Sequence, residues 1–408
     1  MLTTFYPPYN FGGDGIFVRR LSNELARRGH HVEVIHCRDA YFAAGGRRPE
    51  RDEYDHPNVT IHGLKSRFGI LSPLATHQTG LPLFKAADIR RVLSKNFDVI
   101  HYHNVSLLGP GILAYGQAIK LYTMHEYWLI CPTHVLFKFN RTACIEPHCL
   151  LCTLAYKRPP QWWRYAGLLK EAAKHIDTFI APSRFSNEKH KEMGFDFPTV
   201  HLPLFAPSDR EPSELISESA NKPQPVRHFL FVGRLEKLKG LQTLIPIFRG
   251  YDRAELWIAG SGSYESALRE LAGNNSRVRF LGKLSEDELR QAYREAVAVI
   301  VPSLCYETFG QVVVEAFSQH TPALVRNSGA LPEMVDESGG GLIYNTDAEL
   351  VAAMDALAAN RALRQELAER GYQAYLRKWT PEVHLDHYLA LVQKLRAVKE
   401  APATNTRV

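Results

Sequence analysis

The sequence predicts an α/β protein built as two doubly wound domains that face each other across a cleft. Apolar runs of four to seven residues alternate with helical patterns along the chain, the signature of parallel α/β construction. At 408 residues the chain is too long for one ordinary core. The segment 206–226 gathers Pro207, Pro212, Pro223 and Pro225 among serines and acidic residues, which is linker composition.

The strands expected in the first half, 1–205, are Val32–Cys37, Val99–His103, Ile119–Met124, Phe179–Ala181 and Thr199–Leu202. In the second domain, 227–380, Phe229–Val232, Glu255–Ala259, Val278–Leu281, Ala298–Val301 and Ala323–Arg326 repeat the pattern. A helical region from about Asp347 to Val398 is broken near Trp379-Thr380-Pro381, which leaves a closing helix over 381–400 and a tail, 401–408, expected to fray. Ligands of such sheets bind beyond the carboxyl ends of the strands, so the loops after strands are where chemistry is expected.

The net charge of +6 conceals an asymmetry: residues 1–205 hold 25 Lys and Arg against 17 Asp and Glu, the remainder 24 against 26. Fourteen of the 18 histidines also precede residue 206. A basic first domain favours an anionic partner, such as a phosphate-bearing acceptor or a membrane surface, and no nucleic-acid partner is expected. The N-terminus has neither a basic start nor an apolar segment of signal-peptide type, and no apolar run reaches membrane-spanning length, so the cytoplasm is the expected compartment.

The densest chemistry lies in Glu307-Thr308-Phe309-Gly310-Gln311-Val312-Val313-Val314-Glu315. Thr308 and Gln311 have the spacing of a capping box, which predicts a helix starting near Phe309 whose free N–H groups attract phosphate. Glu307 then falls just outside the helix and Glu315 about two turns in, roughly 80° round the axis, so both can face one cleft. Two acids flanking such an end suit a ligand with hydroxyls and a diphosphate; read locally, they also fit an ordinary surface helix. Upstream, Gly233-Arg234 and Lys239-Gly240 follow a strand, and an Arg fork with a nearby Lys point charge suits a diphosphate. Gly260-Ser261-Gly262 allows close backbone approach to a ligand.

These residues carry a resemblance. Gly233-Arg234, Lys239-Gly240, Pro302-Ser303, Glu307-x7-Glu315 and Gly329-x2-Pro332-Glu333, preceded by Pro7-Pro8, Gly12-Gly13-Asp14-Gly15, Ala26-Arg27-Arg28-Gly29-His30-His31-Val32, Asp98-Val99-Ile100-His101-Tyr102-His103 and His125-Glu126-Tyr127-Trp128, resemble retaining glycosyltransferases of family 4 with the GT-B fold. The resemblance implies two Rossmann-like domains, a C-terminal helix returning to the first, a nucleotide-sugar donor held mainly by the second, and a carbohydrate or lipid-linked acceptor held by the first. It implies that Arg234 and Lys239 grip the diphosphate, that Glu307 contacts the transferred sugar and Glu315 the ribose, and that Phe309, Gly310 and Gln311 cap the distal phosphate. Gly12, Gly13 and Gly233 become donor-loop residues. His125 lies beside the sugar or acceptor, and His103 is either its neighbour or a structural histidine closing a strand. Retention is implied too. The chain contains no Asp-x-Asp pair, so metal-independent transfer in cell-envelope polysaccharide or glycoconjugate biosynthesis is expected, with no catalytic cofactor. A nucleotide-sugar epimerase and a non-catalytic sugar-nucleotide sensor are the alternatives. Against the family pattern, the first strand, Met1–Phe5, is short, and Glu126 stands where many relatives carry Asp.

Two features sit in a segment near 131–165. Cys131, Cys144, Cys149 and Cys152 offer four soft ligands, enough for a closed structural zinc site, and are equally readable as buried or redox-active thiols, with an iron–sulfur cluster as a lesser alternative. The run Tyr156-Lys157-Arg158-Pro159-Pro160-Gln161-Trp162-Trp163-Arg164 suits peripheral contact with a membrane, an aromatic platform for a sugar ring, or interdomain packing.

Overall fold

The computed structural model describes residues 1–49, 55–207 and 227–401; the expected linker beyond residue 207 and all but the first residue of the expected tail lie outside them. The first half folds as strands β1 (Val32–Cys37), β2 (Val59–Leu64), β3 (Val99–Tyr102), β4 (Ile119–Thr123), a small antiparallel hairpin of β5 (Phe137–Lys138) and β6 (Thr142–Ala143), then β7 (Thr178–Ala181) and β8 (Thr199–His201). The short N-terminal segment completes this sheet. Leu2 bridges Ile35 on one side and Tyr102 on the other, both in parallel, through bonds such as Leu2 N–H to His101 O (2.8 Å) and Ile35 N–H to Met1 O (2.9 Å). It thus joins β2-β1 to β3-β4-β7-β8 in one parallel sheet, so few residues suffice where both neighbours supply hydrogen bonds.

The second half contains β9 (His228–Val232), β10 (Glu255–Ala259), β11 (Val278–Gly282), β12 (Ala298–Val301), β13 (Ala323–Arg326) and β14 (Gly341–Tyr344), in the order β11-β10-β9-β12-β13-β14, all parallel. The order reverses between β9 and β12, and in the first domain between the Leu2 segment and β3. These are the topological switch points at which doubly wound sheets open a crevice.

Strands β2 and β14 escaped sequence reading. Both are sheet edges, and the alternation that betrays a strand is weak there: β2 is largely exposed and carries His62 and Gly63, while β14 begins at Gly341. The closing helical region is broken twice, since Asn360 caps the helix Arg361–Lys378 by accepting from Leu363 N–H, ahead of the expected break at Thr380. The last helix, Pro381–Glu400, returns to the first domain. Its Asp386, Arg396 and Lys399 meet Arg28 (2.7 Å), Asp98 (2.6 Å) and Asp177 (2.7 Å), while Tyr388 stacks on His101. One apolar cluster runs through both halves, from Tyr6, Phe17 and Phe205 to Phe317, Trp379 and Tyr388, so burial of shared surface holds the two sheets together.

Candidate active site

The loops at the two switch points meet. After β9 the chain turns through Gly233, Arg234 and a short turn Lys237–Lys239 into Gly240, whose φ of +81° is left-handed; a Cβ there would lie 1.9 Å from Pro302 O at the end of β12. Only glycine lets these strand-end loops touch, and the touch sets Lys239 beside the loop after β12. Lys239 Nζ lies 2.7 Å from Glu307 Oε1, and Ser303 Oγ donates to the same oxygen at 2.5 Å. Burial raises the Glu307 carboxyl, but the Lys239 charge and the two hydrogen bonds more than offset this and hold it below the usual carboxylate range. Burial likewise pulls Lys239 down, and Glu307 returns it above its ordinary value. The pair is therefore fully ionised near neutral pH. Arg234, half exposed, reaches back to Glu236.

The stretch from Glu307 to Glu315 is used differently from the expected capping box. The helix runs from Gln311 to Ser318 behind Gly310, with no side-chain cap. Thr308 Oγ instead donates to His125 O in the first domain (2.8 Å), and Gln311 Nε2 donates to Phe205 O (2.9 Å). Both side chains tie the domains together, which leaves the helix end free of a competing side chain. Glu315 therefore sits one turn inside the helix rather than two. Its Oε1 accepts from Arg20 across the cleft (2.8 Å) and its Oε2 from the Tyr293 hydroxyl (3.2 Å). A ribose contact there has to share the carboxylate with these partners. Phe309 is buried, and Gly329 packs so closely beneath the loop that a Cβ would lie 2.3 Å from Glu307 N.

From the first domain, Gly12 precedes and Gly13 opens the helix Gly13–Arg27, and the space a Gly13 Cβ would occupy is empty within 4 Å. Asp14 in its first turn accepts from Asn104 Nδ2 (3.0 Å), which follows β3. His125 Nε2 and His103 Nδ1 share a hydrogen bond of 2.9 Å, and His103 lies against His101 with ring centroids 4.0 Å apart. Burial drives His125 down to about 4, with Asp14 pulling weakly the other way, so its imidazole is neutral at pH 7. His103 is thus a direct neighbour of His125.

Beyond these residues the domains are latched by Glu333, which accepts from the backbone N–H groups of Arg184 (2.9 Å) and Phe185 (3.0 Å) at the start of the helix Arg184–Glu192. Ser183 Oγ donates to Thr308 O (2.7 Å). Sequence reading missed Ser303, Arg20, Tyr293, Asp14 and Ser183 as site residues; only Gly-Asp-Gly and Pro-Ser, already inside quoted motifs, held any signal. The Trp162-Trp163 pair divides: Trp163 is buried with its Nε1 donating to His77 O (2.8 Å), whereas Trp162 is 60% exposed. Among the described residues no group of three or more His, Cys, Asp or Glu is arranged to hold a metal ion, and no helix is long and apolar enough to cross a membrane.

Comparison with known proteins agrees with this geometry. Residues 11–203 match the family described as Glycosyltransferase Family 4, and residues 212–374 that described as Glycosyl transferases group 1. The chain is 25% identical over 372 residues to an uncharacterized glycosyltransferase of Methanocaldococcus jannaschii, covering 86% of each. It is similar in fold to a sucrose-phosphate synthase from Thermosynechococcus elongatus (TM-score 0.75, 18% identity, 97% of this chain and 98% of that one). The same holds for the Anabaena protein HepE crystallised with UDP and glucose (TM-score 0.64, 14% identity, 98% and 99%). The motifs, the paired switch points and these matches agree, and the chain belongs to the family 4 glycosyltransferases of the GT-B fold.

Proposed function

We propose that this glycosyltransferase moves a sugar from a nucleotide-sugar donor to a carbohydrate or lipid-linked acceptor, with retention and without a metal, in the assembly of a polysaccharide or glycoconjugate. The observation that carries this reading is the ionised Lys239–Glu307 pair at the second domain's switch point, tied through Thr308 to His125 of the first. A donor diphosphate entering between Arg234, Lys239 and the uncapped end of the helix Gln311–Ser318 meets two cations and free backbone N–H groups. As the bond to the anomeric carbon breaks, negative charge grows on the leaving phosphate, and Lys239 and Arg234 stabilise it; this supplies the role a metal plays elsewhere. Glu307 accepts from hydroxyls of the departing sugar, and Glu315 from those of the ribose. Neutral His125 offers a hydrogen bond to the sugar or acceptor without adding charge. In a front-face reaction the acceptor proton passes to the leaving phosphate, which fits a Glu307 held at Oε1 by Lys239 and Ser303 and so placed to position the sugar rather than to attack it. HepE, a fold neighbour solved with UDP and glucose, supports a nucleotide-sugar donor.

Among the described residues, all the exposed large apolar side chains except Leu376 and Val398 precede residue 206. With the basic charge of that half, Ile70, Leu71, Trp162 and Tyr165 support peripheral contact with an anionic membrane. Liposome flotation indifferent to anionic lipid would count against that contact.

Thermal melting against a panel of nucleotide sugars tests the donor. A ligand at 100 times its dissociation constant adds roughly 2.7 kcal/mol to the native state, a plain shift in melting temperature. No shift with any of them removes the donor assignment. Turnover unchanged by adding or withholding Mg²⁺ or Mn²⁺ and an unchanged anomeric configuration in the product are expected; inversion, or turnover that appears only with added Mg²⁺ or Mn²⁺, overturns that part.

A further inference from the structure

Cys131, Cys144, Cys149 and Cys152 take no part in the chemistry described above, yet the fold brings all four to one place. They line one cavity of about 20 Å³, together with apolar Ile130, Leu136 and Met193 and polar Thr133, Lys138 and His148. That is room for about one water-sized body. None of the four is in a disulfide; three are buried and Cys149 is half-buried. Cys149 and Cys152 stand one turn apart on the short helix Cys149–Ala155, which puts both on one face.

Two of the sulfurs hold contacts suited to thiolates, while Cys144 Sγ donates to Glu146 O (3.8 Å), a bond given up with its proton on ligation. Phe139 N–H donates to Cys152 Sγ (3.3 Å), and Thr133 Oγ lies 3.2 Å from Cys131 Sγ. Donors of this kind orient metal-bound sulfur and stabilise its charge. The backbone around the cavity is also forced: His134, Leu136, Phe139, Asn140 and Lys157 all have left-handed φ, between +44° and +76°, and only Leu83 and His320 join them among described non-glycine residues. Apart from Asn140, whose type adopts this region readily, such residues are sterically disfavoured there and persist where something over-determines the loop. A hairpin as short as β5–β6 supplies little of that restraint.

We propose that Cys131, Cys144, Cys149 and Cys152 bind one zinc ion as four thiolates, a structural cross-link within segment 131–165 that fixes the face it packs on the second domain. As the side chains stand they ring the cavity without converging, so binding turns the sulfurs inward, and each ligating thiol releases its proton to water. Four soft ligands and no room for a fifth make a closed, structural site rather than a catalytic one. What the cross-link holds is the wall of the donor site. Phe137 packs on Leu238 and Cys305, and Tyr127 and Leu136 pack on Tyr306, the neighbours of Lys239 and Glu307.

The test is the metal content of the full chain purified without a metal-affinity resin. About one zinc per chain is expected, and Cys37→Ser should keep it while Cys144→Ser and Cys152→Ser lose most of it. Should those variants fail to fold, cobalt exchanged into the wild type answers instead, with a tetrahedral, thiolate-bound spectrum expected. No zinc either as purified or after refilling under reducing conditions overturns the proposal. So do zinc retained by the Cys144→Ser variant, iron with acid-labile sulfide in its place, or a disulfide among these four cysteines. None of these readouts uses turnover, so the metal stands or falls separately from glycosyl transfer.

Discussion

The two domains share a strand order and differ in how they treat charge. The first keeps several histidines neutral by burial: His36, His125, His190 and His384, the last contributed by the returning helix, are pushed down to about 4, and His101 and His103 are held well below their ordinary value. The second keeps charge and pairs it, as Lys239 with Glu307. The same topology thus builds one wall of neutral imidazoles and another with an ionised pair, the wall to which the proposed stabilisation of a leaving phosphate falls.

Removing the charged wall should have the largest effect. Lys239→Ala is expected to lower turnover on the order of 10²–10³, and Glu307→Gln to lower it strongly too, with the fold retained by circular dichroism and melting lowered because the remaining partner loses its counter-charge. Wild-type rates in either variant would break the division of labour.

Acid should separate the domains next. Each buried imidazole has a folded pKa below its ordinary 6.5, so above pH 6.5 it is neutral folded or unfolded and contributes nothing to the pH dependence. Between pH 6.5 and about 4 the unfolded chain takes up protons that the folded one refuses, and stability falls, by up to about 3 kcal/mol for one such histidine. The Glu307 carboxyl is depressed, so its contribution is present above its ordinary 4.5 and is lost only as pH falls through its lower folded value. Hydrogen exchange from pH 7 to 4.5 should therefore show the first domain and the returning helix losing protection first. Loss beginning in the second domain would refute this.

Smaller effects probe the seam. Glu333→Ala leaves two backbone N–H groups without their charged acceptor, a change of about 1–2 kcal/mol toward an opened cleft, which scattering should register as a larger radius of gyration without nucleotide. An unchanged radius would mean that the shared apolar cluster alone sets closure. Arg28→Ala breaks an exposed pair with Asp386 and should shift stability by less than about 1 kcal/mol. A larger loss in urea melts would show that charge, rather than Leu385 and Tyr388, docks the last helix.

Much of this was legible beforehand. The bounds of β1, β10, β12 and β13 are legible to the residue, since parallel strands flanked on both sides are mostly apolar, apart from Glu33 and His36 in β1 and the end residues Glu255 and Arg326. The loops after them could be searched for that reason, and Lys239 and Glu307 do meet. Thr308 and Gln311 show the limit: their spacing satisfies a capping rule, yet His125 and Phe205 compete for the same side chains and win.

By itself the sequence determined the alternation of strand and helix, the glycines that let strand-end loops touch, and the inventory of charged and soft side chains. Such features depend on neighbours a few residues away, through periodicity and backbone sterics. Only the tertiary structure decided which partners those side chains take: Glu315 with Arg20, His125 with His103, Glu333 with a helix start in the other domain, and four cysteines around one cavity. A polar side chain bonds to whatever folding brings within about 3 Å, and across so long a chain that distance is set by how the sheets pack, not by local pattern.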